Sequence, residues 1–253
     1  MILILAGTSD ARELAKKIKE VGHETLATVV TENGAIALKN LGIDVLVGRL
    51  TKEDMIGLFV EKKIDMIIDA THPFAEEASK NAVDAAVEGN IPYIRYERPS
   101  YTSNNHQITY VDSYQEAANV AAKRRGVIML TTGSKTLQTF TETLHRIEGV
   151  RLIARMLPRK DNMEKCEQLG VEQKNIVAIQ GPFTKELNKA LYIQYNVTLM
   201  ITKESGKVGS VDEKVEAAKD LEIPIIMIKR PKMNYGTVCN TFDDVLKTMK
   251  SMR

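Results

Sequence analysis

The stretch around which this chain is organised reads Asp69-Ala70-Thr71-His72-Pro73-Phe74-Ala75. It follows an apolar run over residues 64–68, which is typical of a strand buried on both faces, and it precedes a segment with helical periodicity. This pattern predicts a strand-to-helix turn. Pro73 suits the first helical position, because it has a preset φ and no N–H. Asp69, Thr71 and His72 are therefore predicted at the carboxyl edge of a strand, where open parallel sheets bind their ligands.

A purely structural role for the same residues is equally compatible with the pattern. Thr71 or His72 could cap the following helix, and Asp69 could close an Asx-turn by accepting a hydrogen bond from a nearby backbone N–H. The local sequence leaves both interpretations open.

Length and composition indicate a globular protein with one large domain or two of ordinary size. The chain has 253 residues, of which 43% are hydrophobic and 27% charged, so it is neither disordered nor fibrous. Its 35 basic residues are balanced by 33 acidic ones, so nucleic acid is not an expected partner. An anionic ligand would need positive charge gathered locally.

The sequence shows no sign of secretion, a membrane span or a metal site. The apolar run over residues 2–5 is too short to cross a membrane and has no positive segment before it, so we expect a cytoplasmic protein. Cys166 and Cys239 are too few for a zinc site and are expected to be small buried side chains. The four histidines are scattered, so no bound metal is expected.

Strand and helix patterns alternate along the whole chain. The predicted strands cover residues 2–5, 24–30, 45–48, 64–68 and 91–95, and then 108–111, 127–130, 151–154, 175–178, 197–201 and 225–228. The polar stretch 100–106 has neither periodicity, which places a domain boundary before it. The pattern predicts an α/β protein with two Rossmann-like domains, residues 1–99 and 100–253, with parallel sheets and an interdomain cleft.

A first candidate site is the turn that follows the first strand, Ala6-Gly7-Thr8-Ser9-Asp10. A small-residue turn that leads into a helix offers unpaired N–H groups to an anion. Only Gly7 of the dinucleotide fingerprint is present, however, so a simple cap by Ser9 or Asp10 is at least as compatible. Glu32 lies roughly twenty residues further on, where dinucleotide folds hold a ribose diol, and its charge would favour NADH over NADPH.

Further turns of the same kind occur in the second half. Gly133 and Ser134 follow one strand, and Ser205, Gly206 and Lys207 follow another, although neither turn has the spacing of an ATP-binding loop. Basic residues near these strand ends could form a groove for a polycarboxylate, or could be ordinary solvated charges. They are Arg95, Arg98, Lys135, Arg155, Arg159, Lys203 and Lys207.

An ordered set of motifs resembles the precorrin-6A reductase family, which acts in corrin-ring (cobalamin) biosynthesis. The most specific motif is residues 69–75. The others are Ala6-Gly7-Thr8, Tyr96-Glu97-Arg98-Pro99, Gly181-Pro182-Phe183-Thr184, Thr202-Lys203-Glu204-Ser205-Gly206, Lys214 with Ala217-Ala218, and Lys229-Arg230-Pro231. The chain departs from the family pattern at Ala6 and Lys207, where glycine is usual.

The resemblance implies an oxidoreductase that uses NADH or NADPH to reduce a ring double bond of precorrin-6A or cobalt-precorrin-6A, with hydride sent to C19 and a proton to C18. The N-terminal domain would bind the dinucleotide, and the C-terminal domain would complete the substrate cleft. The resemblance implies Gly7, Thr8, Ser9 and Thr71 as cofactor-binding residues, and Glu32, Gly133 and Ser134 are further candidates from their positions after strands. The implied substrate-binding residues are Arg98, Lys203, Ser205 and Gly206, and Lys207 is added to them as a cation at the same strand end. His72 is the candidate proton donor, with a structural histidine or a solvent proton as the alternatives.

Two other function classes remain open at this stage. One is a different NAD(P)H-dependent reductase on the same scaffold, and the other is a non-catalytic, two-lobed sensor of a small anion. The expected partner is a tetrapyrrole substrate, without nucleic acid or membrane. The sequence does not decide between a monomer and a homodimer.

Overall fold

The computed structural model describes residues 1–100, 107–206 and 211–252. In chain order the strands are β1 (Ile2–Leu5), β2 (Thr25–Val29), β3 (Asp44–Val47), β4 (Met66–Asp69), β5 (Tyr93–Tyr96), β6 (Ile108–Val111), β7 (Gly126–Leu130), β8 (Val150–Met156), β9 (Ile176–Ala178), β10 (Leu199–Lys203), β11 (Ile225–Ile228) and β12 (Val238–Cys239). The α-helices are α1 (Ser9–Glu20), α2 (Glu32–Lys39), α3 (Lys52–Glu61), α4 (Glu76–Glu88), α5 (Tyr114–Arg124), α6 (Leu137–Leu144), α7 (Lys160–Gln168), α8 (Lys185–Gln194), α9 (Val211–Asp220) and α10 (Phe242–Ser251).

The chain divides into two compact units. The first comprises Met1–Pro99 together with Pro231–Arg253, and the second is Ser100–Arg230. Each contains a six-stranded sheet in which all neighbouring strands are parallel. The predicted α/β class with two Rossmann-like, parallel-sheet domains is therefore confirmed.

The first sheet has the strand order β12-β5-β4-β1-β2-β3, which is the order of a dinucleotide-binding Rossmann sheet. Its central strand β1 is buried on both faces. Successive side chains point to opposite sides of the sheet, and each side packs into a core cluster. Ile2 and Ile4 join one core cluster, and Leu3 and Leu5 join the other. The chain leaves β1 in one direction, toward β2, and reaches β4 on the other side. The order of the strands therefore reverses between β1 and β4.

The second sheet has the order β6-β11-β10-β7-β8-β9. This is the same arrangement, except that the edge strand comes from a different part of the chain. In the first sheet the strand beside β5 comes from the end of the chain, whereas here the strand beside β11 comes first. The order reverses between β7 and β10. One face of this sheet buries Met129, Ile153 and Met200 beneath α8 and α9.

The predicted domain range 100–253 needs a correction at its end. Residues 231–253 belong to the first unit, because β12 pairs with β5 and completes the first sheet. Val245 and Met249 of α10 are buried in the same core as β1. A two-residue strand has no readable periodicity, so the sequence pattern could not show this return.

Three local predictions were also wrong. The first helix is capped by Thr8, whose hydroxyl accepts from Ala11 N, and not by Ser9 or Asp10. Helix α4 begins at Glu76, so Pro73 lies in the preceding turn and not at the first helical position. Neither Thr71 nor His72 caps α4, because its N-cap residue is Ala75.

Both cysteines are buried and free, as predicted. Among the helices that the structure describes, none combines the length and the apolar character needed to cross a bilayer. No cluster of three or more histidine, cysteine or acidic side chains suited to a metal ion occurs in the described ranges.

Candidate functional site

The reversal between β1 and β4 brings two of the predicted motifs together. Open α/β sheets bind ligands in the crevice at such a point, beyond the carboxyl ends of the strands. The turn after β1 contains Gly7 and Thr8, and the turn after β4 contains Thr71 and His72. Thr8 Oγ1 lies 3.5 Å from the carbonyl oxygen of Ala70, which joins the two turns. The sheet order thus places the predicted cofactor turn beside the most specific sequence motif.

The turn after β1 has room for an anion beside its backbone. A methyl group added at Gly7 would meet no atom within 4 Å, and Gly7 and Ser9 are both exposed. Thr8 caps α1, a helix of twelve residues whose first N–H groups face this space. Open space beside helix N–H groups fits the pyrophosphate of a dinucleotide.

Asp69 is the centre of a buried hydrogen-bond network. Its side chain is 0% exposed, and Oδ1 accepts from Thr71 N at 2.9 Å and from Thr71 Oγ1 at 2.7 Å. Arg95 Nη1 donates to the same oxygen at 2.8 Å, and Tyr93 OH donates to Oδ2 at 2.8 Å. The Asx-turn interpretation of Asp69 is confirmed by the Thr71 contact. The additional partners make Asp69 the anchor of the whole turn.

Arg95 is structural in this unit, which argues against the predicted role as a surface cation for a polycarboxylate. It is 1% exposed, and Nε donates to Glu97 at 2.7 Å. Burial alone would lower the pKa of Arg95, but the carboxylates of Asp69 and Glu97 outweigh that effect and raise it. Tyr235 covers the guanidinium, with Cζ 4.9 Å from the ring centre. Burial and the negative charge of Asp69 raise the pKa of Tyr93. The Tyr93 hydroxyl and the Arg95 guanidinium therefore both keep their protons.

The His72 side chain takes part in the turn that it begins. Its Nδ1 accepts a hydrogen bond from Phe74 N at 3.2 Å, and its ring centre lies 5.8 Å from that of Phe74. This contact requires an unprotonated Nδ1, so the neutral ring carries its proton on Nε2. His72 is half-buried, and its Nδ1 is occupied by the hydrogen bond from Phe74 N within the turn.

Arg98 also has a partner inside the first unit. It is 5% exposed, and its guanidinium forms a forked ion pair with the carboxylate of Asp10, at the start of α1. The pair uses Nε and one Nη2 hydrogen, so the predicted contact of Arg98 with a substrate carboxylate stays a prediction. Glu32, by contrast, is exposed at the first position of α2, immediately after the Thr31 cap.

The reversal between β7 and β10 brings together the glycine turns of the second unit. Thr131 Oγ1 donates to Ile201 O at 3.0 Å, which joins the two strand ends. Gly133 has φ +81° and precedes Ser134, whose hydroxyl donates to Asn162. Across from them lie Lys203, which is half-buried, and Ser205, which is 6% exposed. Gly206 has φ +85°.

The other predicted cations of the second unit have different surroundings. Lys135 is exposed, and the exposed Arg159 pairs with Asp161 at 2.9 Å. Arg155 is 7% exposed and donates to Asn188 Oδ1 at 2.7 Å. Lys207 lies outside the described residues.

The sequence patterns did not identify Tyr93, Tyr235 and Ser79 as supports of the Asp69 turn. Ser79 is 1% exposed, and its hydroxyl lies 3.2 Å from Thr71 Oγ1. Ser79 interrupts the apolar face of α4, and a polar residue on such a face is the one sequence signal that could have revealed it.

Comparisons with known proteins match this chain along nearly its whole length. The family model for precorrin-6x reductase CbiJ/CobK covers residues 1–250. The chain is 63% identical over 249 residues to a cobalt-precorrin-6A reductase of Priestia megaterium, which covers 98% of each protein. It is 35% identical over 254 residues to a cobalt-precorrin-6A reductase of Methanocaldococcus jannaschii, covering 100% of this chain and 99% of the relative.

A solved structure shares the fold. The match is to a structure described as CobK precorrin-6A reductase, with a TM-score of 0.80 and 23% identity, over 99% of this chain and 96% of the other. The family resemblance of the sequence motifs is therefore confirmed along the chain, and this protein belongs to the precorrin-6x reductase CbiJ/CobK family.

Proposed function

We propose that this protein reduces cobalt-precorrin-6A, or the metal-free precorrin-6A, to the corresponding precorrin-6B with NADH or NADPH as the donor. Hydride would go to C19 of the macrocycle and a proton to C18. The substrate follows from the family and from the names of the relatives. The observation that carries the cofactor assignment is the meeting of Gly7-Thr8 and Thr71-His72 where the strand order of the first sheet reverses.

A dinucleotide would lie along the carboxyl edge of the first sheet. Gly7, Thr8 and Ser9 would hold its pyrophosphate at the N-terminus of α1, and Glu32 would accept hydrogen bonds from a ribose diol. When bound, the reduced nicotinamide would supply the hydride. The roles of Gly133 and Ser134 as further cofactor contacts, and the cleft between the two domains, stay predictions.

The turn after β4 would present Thr71 and His72 to the reacting groups. Asp69 holds both the backbone N–H and the hydroxyl of Thr71, so the position of this residue is set before any ligand arrives. His72 would hold the proton that is transferred to the macrocycle. In the second unit, Lys203, Ser205 and Gly206 would bind the acidic side chains of the substrate, and Lys207 is included in this proposal from the sequence alone.

Replacing Gly7 with alanine should weaken NADH binding by roughly tenfold or more without loss of stability. The added methyl group would fill the open space beside the α1 N–H groups, where the pyrophosphate must approach the backbone closely. NADH fluorescence titration measures the affinity, and thermal unfolding measures the stability.

Gly57→Ala is the matched control for this substitution. A methyl group added at Gly57 also meets nothing within 4 Å, but Gly57 lies inside α3. We expect unchanged NADH affinity and a stability gain of about 0.5–1 kcal/mol. Equal NADH affinity in Gly7→Ala and the parent protein would remove the α1 turn from the cofactor site.

Replacing Glu32 with glutamine should shift the coenzyme preference toward NADPH, by roughly tenfold in the ratio of the two dissociation constants. The carboxylate would no longer repel a ribose 2′-phosphate, and a ribose diol would lose a charged acceptor. Glu20→Gln, at the exposed C-terminal end of α1, is the control and should leave the ratio unchanged. An unchanged ratio in Glu32→Gln would exclude a ribose contact at this position.

The reaction itself is tested by incubating the purified protein with NADH or NADPH and with cobalt-precorrin-6A or precorrin-6A. We expect the absorbance of the reduced nicotinamide to fall together with a change in the macrocycle spectrum. Nicotinamide oxidation with some other acceptor, but no change in either macrocycle, would indicate a different reductase. Ligand binding without any nicotinamide oxidation would indicate a sensor.

A further inference from the structure

Polar side chains gather on one face of the second sheet, beneath α8 and α9. Because side chains two residues apart on a strand share a face, Arg155 lies on the same face as Ile153, and Thr202 on the same face as Met200. Lys214 precedes the buried Ala217 and Ala218 by three and four residues, so it occupies the sheet-facing side of α9. Arg155, Thr202 and Lys214 therefore converge near the carboxyl edge of the sheet.

The cluster contains two cations, Arg155 and Lys214, and the charge of Arg155 acts on the Lys214 amine. Arg155 donates to the amide of Asn188 at 2.7 Å and packs over Phe183, with Cζ 4.6 Å from the ring centre. Burial and the charges of Arg155 and Lys203 lower the pKa of Lys214 to about 7. Neither Arg155 nor Lys214 belongs to an ion pair among the side chains that the structure describes, and Glu213, on the same helix, raises the pKa of Lys214 less than the two cations lower it. Such a pair of cations costs stability, and a bound anion would relieve that cost.

A buried hydroxyl in the same cluster also has no partner. Thr202 is 0% exposed, and its Oγ1 makes no hydrogen bond. Buried hydroxyls are nearly always satisfied, because leaving one unpaired costs free energy. The neighbouring Tyr192 OH already has its contacts, with Lys214 O at 3.2 Å and Met200 Sδ at 2.9 Å.

We propose that Arg155, Thr202 and Lys214 form an anion site that binds one carboxylate of the substrate's acidic side chains. The two cations would pair with the carboxylate, and the Thr202 hydroxyl would donate to it. This inference rests on the proposed function for the identity of the substrate. It goes beyond that function in assigning Thr202, Arg155 and Lys214, on one face of the second sheet, to a single carboxylate.

The test uses uroporphyrin, a stable tetrapyrrole with eight carboxylates, together with its uncharged octamethyl ester and NADH as separate ligands. The parent protein should bind uroporphyrin and not the ester. Lys214→Met should weaken uroporphyrin binding roughly 10- to 100-fold, with NADH affinity unchanged. The matched control is Lys219→Met, on the same helix, where the amine pairs with Glu216 at 2.8 Å. It should bind both ligands like the parent.

Thr202→Val provides a second readout that a structural role would not produce. It removes the unpaired hydroxyl at nearly constant volume, so the unliganded protein should melt at a higher temperature. The same variant should bind uroporphyrin more weakly. A lower melting temperature in Thr202→Val, or unchanged uroporphyrin affinity, would overturn the role of this hydroxyl.

The pH dependence of uroporphyrin binding identifies the amine. The charges that act on the Lys214 amine are those of Arg155 on β8, Lys203 on β10 and Glu213 on its own helix, and Tyr192 OH on α8 donates to the Lys214 backbone carbonyl. A bound carboxylate favours the charged amine, so affinity should fall above pH 7, by at most roughly tenfold per pH unit. Lys214→Arg, which stays charged, should retain affinity and lose this dependence.

Each outcome decides the assignment. Failure of the parent to bind uroporphyrin, or equal affinity in Lys214→Met, would overturn it. Weakened NADH binding with unchanged uroporphyrin binding would also overturn it, and would indicate a site for a nucleotide phosphate. Turnover of cobalt-precorrin-6A is a separate measurement, so failure of the proposed reaction would not be mistaken for failure of this site.

Discussion

Replacing Asp69 with alanine should lower the free energy of unfolding by about 3–5 kcal/mol. The substitution leaves the guanidinium of Arg95, which is 1% exposed, with Glu97 as its remaining carboxylate partner. It also removes the acceptor of Tyr93 OH and the two hydrogen bonds that Thr71 donates to Asp69. Urea unfolding followed by circular dichroism measures the loss.

Asp65→Ala is the matched control at the other end of the same strand. Asp65 is 54% exposed and pairs with the amino terminus at 3.4 Å, so its removal should cost less than about 1 kcal/mol. Asp69→Asn keeps the shape and the acceptor for Thr71 N but loses the charge, and should be intermediate. If Asp69→Ala were as stable as Asp65→Ala, the network would not be the support of the turn.

Replacing His72 with alanine should lower kcat by roughly 10²- to 10⁴-fold while NADH affinity changes little, because the proposed role of the imidazole is proton transfer. The measurement is the steady-state rate with cobalt-precorrin-6A, combined with a separate NADH titration. A fall in NADH affinity as large as the fall in kcat would instead indicate a distorted cofactor turn.

His72→Asn separates proton transfer from turn formation. An asparagine Oδ1 can replace Nδ1 as the acceptor for Phe74 N, so the turn should persist without a group that titrates near neutral pH. We expect His72→Asn to be nearly as slow as His72→Ala. Full activity in the asparagine variant would show that the residue only shapes the turn, and unchanged rates in both variants would remove His72 from the mechanism.

The partners of the charged residues could not be predicted from the sequence. Arg95 and Arg98 were both expected to face an acidic ligand, but the structure pairs them with Asp69 and Asp10. These pairs are separated by 26 and 88 positions along the chain. A periodic pattern reports which face of a strand or helix is buried, and it contains no information on which distant charge will lie opposite. For the same reason the sequence could not predict that Thr202 and Lys214 lie on the same face of the second sheet.

The class of fold, the order of the strands up to β11 and the family could all be predicted from the amino-acid sequence. Strand and helix periods are local, and strands such as β1 and β4 are apolar on both faces because helices cover both sides of their sheet. Which strand ends are neighbours became known only from the folded structure. The turns that contain Gly7 and His72 follow neighbouring strands because β1 pairs with β4, and the end of the chain joins the first sheet because β12 pairs with β5. Both outcomes depend on hydrogen bonds between strands far apart in sequence, and a local pattern does not encode them.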